Sequence, residues 1–152
     1  MRISADLVIR CNHEFVIITM LRGSLRRLAT RAASGHVRLA FNVGAGDNLV
    51  LRATVFDTPT GHAFLKSCPH VIDRLQSYGA EVYGPTSTSL PSNPARWQPK
   101  IPPGGLAYSE QGSYLCVFYG QLPAWPVDYI GQIDNWEGLK KGTWRDLSVT
   151  RE

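Results

Sequence analysis

The sequence predicts a mostly-β fold, a closed β-barrel carrying one or two short helices. Three observations lead there. The run from Pro102 to Gly120, PPGGLAYSEQGSYLCVFYG, reads as a β-hairpin, with Gly105 to Glu110 as one arm, Gln111-Gly112 as the turn and Ser113 to Tyr119 as the other arm. Its second arm alternates Tyr114/Cys116/Phe118 with Leu115/Val117/Tyr119, so both faces are apolar or aromatic, as in a strand covered on both sides. The 14 glycines and 10 prolines in 152 residues suit short strands joined by turns, in a chain long enough for one core and cramped for two.

The elements follow in order. Residues 1–36 form an Arg-rich extension open to three readings. Ile3/Ala5/Leu7/Ile9 alternate and meet Asn12-His13-Glu14 and the run Phe15 to Leu21, which suits an added hairpin. Met20 to Ser34 holds four arginines and no acid, with Leu21, Leu25, Leu28 and Ala32 at helical spacing, which suits a mitochondrial presequence. A poorly ordered extension is the third reading. The body then runs over 37–152. Val37 to Val43 is a strand, Gly44-Ala45-Gly46-Asp47 a turn, and Asn48 to Phe56 the return strand with Leu49, Leu51, Ala53 and Val55 on one face.

A helix is expected next. Thr58 is placed to cap it and Pro59 to open it, since the first helical position needs no N–H. Ala63 and Phe64 then face the core and Pro69 ends the segment. His70 to Gln76 and Ala80 to Tyr83 are expected strands. The stretch from Gly84 to Pro103 is a long loop in which Leu90 and Ile101 have the chance to pair. After the hairpin come a turn-rich link over Gln121 to Pro126, a strand over Asp128 to Ile133, a short helix or turn over Trp136 to Lys141, and a last strand over Thr143 to Thr150.

Charge and cysteine usage exclude some functions. The net charge is +4, yet residues 1–36 hold six arginines against two acids, while 37–152 are balanced at ten of each sign. A neutral body lacks the clustered positive charge that nucleic acids require. No apolar run approaches the roughly 18 residues that span a bilayer. Neither a nucleic-acid nor a membrane partner is expected. Cys11, Cys68 and Cys116 are odd in number and widely spaced, so they describe no disulfide framework. A reducing compartment follows, the cytoplasm, or the mitochondrial matrix if Met20 to Ser34 serves as a presequence.

Familiar chemistries fit poorly. Asp57 and His62 with Ser67 or Ser109 suggest a triad, but no Gly-x-Ser-x-Gly elbow is present. His62, Cys68 and His70 match no usual zinc spacing, so no metal site is expected. Gly44-Ala45-Gly46 lacks the helix and the Lys-Ser/Thr pair of a phosphate loop. Cys116 reads as an inert buried thiol, with nothing near it in sequence to lower its pKa. No cofactor is implied.

Four segments carry a resemblance: DTPTGHAF (57–64), YGAEVYG (78–84), PPGGLAYSEQGSYLCVFYG (102–120) and DYIGQID (128–134). Their order and spacing resemble the small prokaryotic cyclophilin-like proteins over residues 37–152. The chain departs from that pattern at Tyr78, where Trp is common, at Ala80, which replaces an acid, and at Gly105, which replaces an Asp. The resemblance implies a cyclophilin-type barrel and raises prolyl isomerisation. That chemistry needs an Arg held near the prolyl amide, in a Phe-His-Arg-Val type of segment, and none is present. Arg52 and Arg74 lie on expected strands without the flanking pattern, so no catalytic residue is assigned and isomerase activity rests on fold alone.

One candidate site remains. Glu81 and Tyr83 share a face of their strand. On a cyclophilin-like barrel, Tyr83, Tyr108, Phe118 and Tyr119 are expected to converge near one opening, with Glu81 as the polar member. Such a hollow suits a small molecule or a short peptide, held through an amide or amine. The competing reading is a set of core aromatics with Glu81 exposed at the rim.

Overall fold

The computed structural model describes residues 6–11, 14–21, 24–27, 31–44 and 48–152, with side chains from residue 31 onward. The chain divides into two compact units, 1–33 and 34–152. The first is an antiparallel sheet. Strand β1 (Asp6–Cys11) pairs along β2 (Glu14–Leu21) with Leu7 opposite Ile18, and β2 pairs in turn with β3 (Ser24–Arg27). The other end of β2 meets the first residues of β4 (Arg31–Asn42), with Phe15 opposite Arg31. β1 and β2 thus run antiparallel on either side of Asn12-His13, which lie outside the described residues. The helical spacing seen in Met20 to Ser34 corresponds to no helix: its described residues are strands, where cross-strand pairing overrides a weak period.

The second unit is the body. Strand β4 continues through it and β5 (Asn48–Phe56) returns beside it; the expected turn residues 45–47 lie outside the described ones. Leu51, Ala53 and Val55 are buried on one face of β5, as their alternation requires. Helix α1 spans Pro59–Lys66. Thr58 is its N-cap and accepts the Gly61 N–H at 3.0 Å, and Pro59 opens it. Phe64 and Leu65 are its buried anchors.

The strand expected over His70 to Gln76 is two short strands, β6 (His70–Ile72) and β7 (Gln76–Ser77), which lie on opposite edges of the sheet. β8 (Glu81–Pro85) pairs with β7 through a tight turn. Tyr78 and Glu81 exchange both backbone hydrogen bonds, at 3.0 and 3.1 Å, and Gly79 takes the positive φ of 55° that the first turn position demands. In the long loop, β9 (Trp97–Gln98) makes two pairs with β12, and Leu90 and Ile101 do not pair. The buried Leu90 instead donates its N–H to the Tyr108 hydroxyl at 3.0 Å.

The hairpin is β10 (Gly105–Ser109) and β11 (Tyr114–Phe118), closed by a four-residue turn, Glu110 to Ser113. Gly112 and Ser113 both have positive φ, at 89° and 55°, so the turn is two residues wider than Gln111-Gly112 alone. β12 (Val127–Ile133) pairs with β10 and β5, and a 3-10 turn over Trp136–Lys141 leads to β13 (Asp146–Arg151), which pairs with β4 and β6.

The body's strand order is thus β6-β13-β4-β5-β12-β10-β11-β8-β7. Its two edge strands are consecutive in the chain and only residues 73–75 separate them, so the sheet is strongly curled. It stays open between β6 and β7, where no ladder forms among the described residues. The expected barrel is in this sense incompletely closed. Eight strands, all but β7 and β9, send side chains into one cluster that includes Leu39, Phe41, Val55, Ile72, Val82, Leu106, Tyr108, Val117, Ile130 and Val149. Such convergence marks the concave side. A second cluster of Phe56, Ile101, Ala107, Cys116, Phe118, Val127 and Tyr129 occupies the other face. The doubly apolar β11 is covered on both sides for this reason. Among the described residues no helix is long and apolar enough to cross a membrane.

Candidate functional site

A hollow of about 240 Å³ opens on the outer face of the sheet, beside the second cluster. The pairing register builds its floor. Glu81 lies opposite Tyr78 on one side and Phe118 on the other, and Tyr83 lies opposite Cys116, so these five side chains share one face. The roof is the link after the hairpin, where Pro123, Ala124 and Trp125 close over Val127. The Trp125 indole N–H donates to the Ser109 hydroxyl at 3.0 Å, which holds the ring in place. Tyr78 and Trp125 remain 56% and 44% exposed and form the mouth.

Glu81 is the polar member of this hollow, and it is only 7% exposed. Burial pushes its carboxyl up to about 7, and the Cys116 thiol, a hydrogen-bond donor beside it, draws the value partly back. Among the described residues no cation pairs with it. Cys116 itself is raised well above its ordinary value, by burial first and by the neighbouring Glu81 charge second. Its thiol therefore stays protonated and unreactive, as expected from the sequence. The Tyr119 phenol is also raised, by burial and then by Glu81.

The expected set of five is divided by the sheet. Glu81, Tyr83 and Phe118 meet in the hollow. Tyr108 and Tyr119 do not line it; both belong to the cluster on the concave side. Tyr108 lies opposite Leu115 and is fully buried, its hydroxyl taken by Leu90. The expected convergence of all four aromatics at one opening is thus corrected, and the hollow lies on the outer face. The physical reason is the period of two: Phe118 and Tyr119 are successive residues and point opposite ways. Glu81 is buried and not exposed at a rim, so the competing reading also misplaces it. The hollow also takes in Tyr78, Cys116, Trp125 and the other roof residues, which are not among the five residues expected from the sequence. A Trp between two prolines in QLPAWP was the available signal for a rigid apolar flap.

The other candidates do not assemble. His62 Nε2 contacts Asp57 Oδ1 at 2.5 Å in the open, and the nearest hydroxyl, Ser34, reaches the same nitrogen at 3.5 Å. A triad needs opposite ring nitrogens for base and orienter. Ser67 bonds His70 and two helix carbonyls, and Ser109 serves Trp125. His70 is buried and stacked on Phe64, whereas His62 is exposed. No group of three possible metal ligands gathers among the described residues. Arg52 is ion-paired to Glu152 at 2.5 Å, and Arg74 is exposed.

The comparisons agree with this architecture. The solution structure of a hypothetical protein from Archaeoglobus fulgidus superimposes with a TM-score of 0.61 over 80% of this chain and 98% of that one, at 22% identity. At that identity the likeness shows the fold. No curated protein matches. The family described as cyclophilin-like matches residues 37–146, the greater part of the chain and nearly the whole curled sheet, and the protein belongs to that family.

Proposed function

We propose that the body is a binding module whose hollow accepts a small molecule or a short peptide segment, with Glu81 accepting a hydrogen bond from an N–H donor. One observation carries this reading: a buried carboxyl without a cationic partner among the described residues opens into a hollow walled by aromatic rings. Leaving such a group unpaired is costly, and a ligand that supplies a donor removes the cost. The flat, amphipathic rings of Tyr78, Tyr83 and Trp125 supply contact area around that single polar anchor. The unpaired Cys68 and Cys116 suit a reducing, cytoplasmic setting.

The alternative, a prolyl isomerase or other small enzyme, draws on family membership alone. No Arg or His lines the hollow, and Arg52 is committed to Glu152. A thermal-shift screen of small amines, amides and capped dipeptides, followed by calorimetry, tests the binding reading. Glu81→Gln is expected to weaken any hit by about 2–5 kcal/mol, the usual loss when one partner of a buried charged hydrogen bond is removed. Hits that bind the variant and the parent equally would place the ligand elsewhere.

A further inference from the structure

We infer that the hollow takes a side-chain-sized organic cation, a guanidinium or primary ammonium on a short aliphatic stem, and that capture requires Glu81 in its ionised form. This rests on the binding reading and specifies its occupant. Size is the first argument. About 240 Å³ falls below the roughly 300–1,000 Å³ typical of drug-sized ligands, and suits one long side chain or its free equivalent.

Charge is the second argument. The wall contains no Lys, Arg or His; its one carboxyl is that of Glu81. An anion would meet no positive group there. An uncharged ligand would leave an ionised carboxylate uncompensated in a mostly apolar setting. Aromatic rings add their own preference, since their quadrupoles attract cations at close range. The exposed Tyr78 and Trp125 at the mouth leave a path for an alkyl stem, while the charged end reaches the floor.

The surroundings of Glu81 make this capture pH-dependent with a definite sign. The groups facing it in the hollow are Cys116 on β11 and Tyr78 and Tyr83 on its own hairpin, while the Tyr119 phenol feels its charge from the other face of the sheet. Residues 121–126 and Val127 bring no titratable group. The thiol of Cys116 and the phenol of Tyr119 are pushed upward, away from neutrality, which leaves the Glu81 carboxyl as the group that changes charge near pH 7. A cation must displace its proton. Affinity should fall about tenfold per pH unit below 7 and level off above it. A neutral carbonyl ligand, which would accept a bond from the protonated acid, has the opposite slope.

The test uses a matched pair, N-butylguanidinium and N-butylurea, which differ in charge and hardly in shape. Titration calorimetry on the full chain from pH 5.5 to 8, in buffers of different ionisation enthalpy, reads affinity and proton release together. The expected result is at least a tenfold preference for the guanidinium at pH 8, with close to one proton released near pH 5.5. An acetyl-Gly-Arg-Gly-amide arm identifies the source: tighter binding than butylguanidinium supports a peptide side chain, and equal or weaker binding supports a free small cation. Glu81→Gln should abolish both the preference and the pH slope. If that variant fails to fold, Trp125→Ala at the exposed mouth should weaken the guanidinium and preserve the slope. Equal or stronger binding of the urea overturns the charge inference while the binding reading stands. Failure of every probe to bind overturns both.

Discussion

Replacing Glu81 with Gln should make the protein more stable at alkaline pH, and the size of the gain follows from the site. In the unfolded chain the carboxyl titrates at 4.5; in the folded protein burial moves it to about 7. A group whose folded value is raised contributes stability that is fully present below the unfolded value. That stability is lost as pH rises through the folded one. The window is therefore pH 4.5 to about 7. The full displacement corresponds to about 3.5 kcal/mol at about 1.4 kcal/mol per pH unit. The carboxyl faces a hollow that is open to water, and solvent screening lowers this to roughly 1–2 kcal/mol. Gln keeps the shape of the protonated acid and does not titrate. Urea unfolding of both proteins at pH 5, 6, 7 and 8 should show the variant gaining on the parent by about that amount across the series. Parallel profiles would refute the buried, unpaired carboxyl. A parent that gains on the variant as pH rises would do so more strongly, since that is the signature of a carboxylate paired with a cation.

Other consequences are simpler to check. Thr58→Ala removes the side-chain cap at the N-terminus of α1 and should cost about 1 kcal/mol in urea unfolding at unchanged m-value. A chain beginning at Ser34, the first residue of the body unit, should retain a cooperative thermal transition; a broad, non-cooperative melt would make residues 1–33 part of the folding core. A protease-coupled assay on a proline tetrapeptide should show no acceleration beyond the uncatalysed rate. Acceleration abolished by Arg52→Ala or Arg74→Ala would assign that Arg a catalytic role.

What the sequence made legible was local. The capped helix at Thr58-Pro59, the two-faced β11 and the strand over 128–133 all rest on contiguous residues whose side chains and turn chemistry agree with the fold. What it hid was pairing. Nothing within His70 to Gln76 reveals that the segment is cut at Asp73 and that its halves lie on opposite edges of one sheet. That division is set by competing partners: the distant Val149 and Leu147 for β6, and Val82 and Tyr83 just across the Gly79 turn for β7. The arm misled for a similar reason. Leucines at helical spacing in Met20 to Ser34 carry little weight once β2 offers a ladder to Ser24–Arg27.

The candidate site failed at a different point, and the failure explains where the hollow is. The hairpin alone fixes that Tyr108, Leu115, Val117 and Tyr119 face one way, and that Ala107, Cys116 and Phe118 face the other. Period two was therefore enough to exclude a site containing both Phe118 and Tyr119. It was not enough to choose between the faces. That choice depends on β8, which places Glu81 against Phe118 and Val82 against Val117. A slip of one residue would have turned Glu81 toward the concave side, among Leu106, Tyr108 and Val117, with no room for a ligand and no route to water. The Gly79 turn prevents that slip by making Tyr78 and Glu81 a hydrogen-bonded pair. Gly79 thus does more than reverse the chain. It aims the carboxyl at the outer face, where the flap from Gln121 to Pro126 converts an otherwise solvated position into a half-enclosed one.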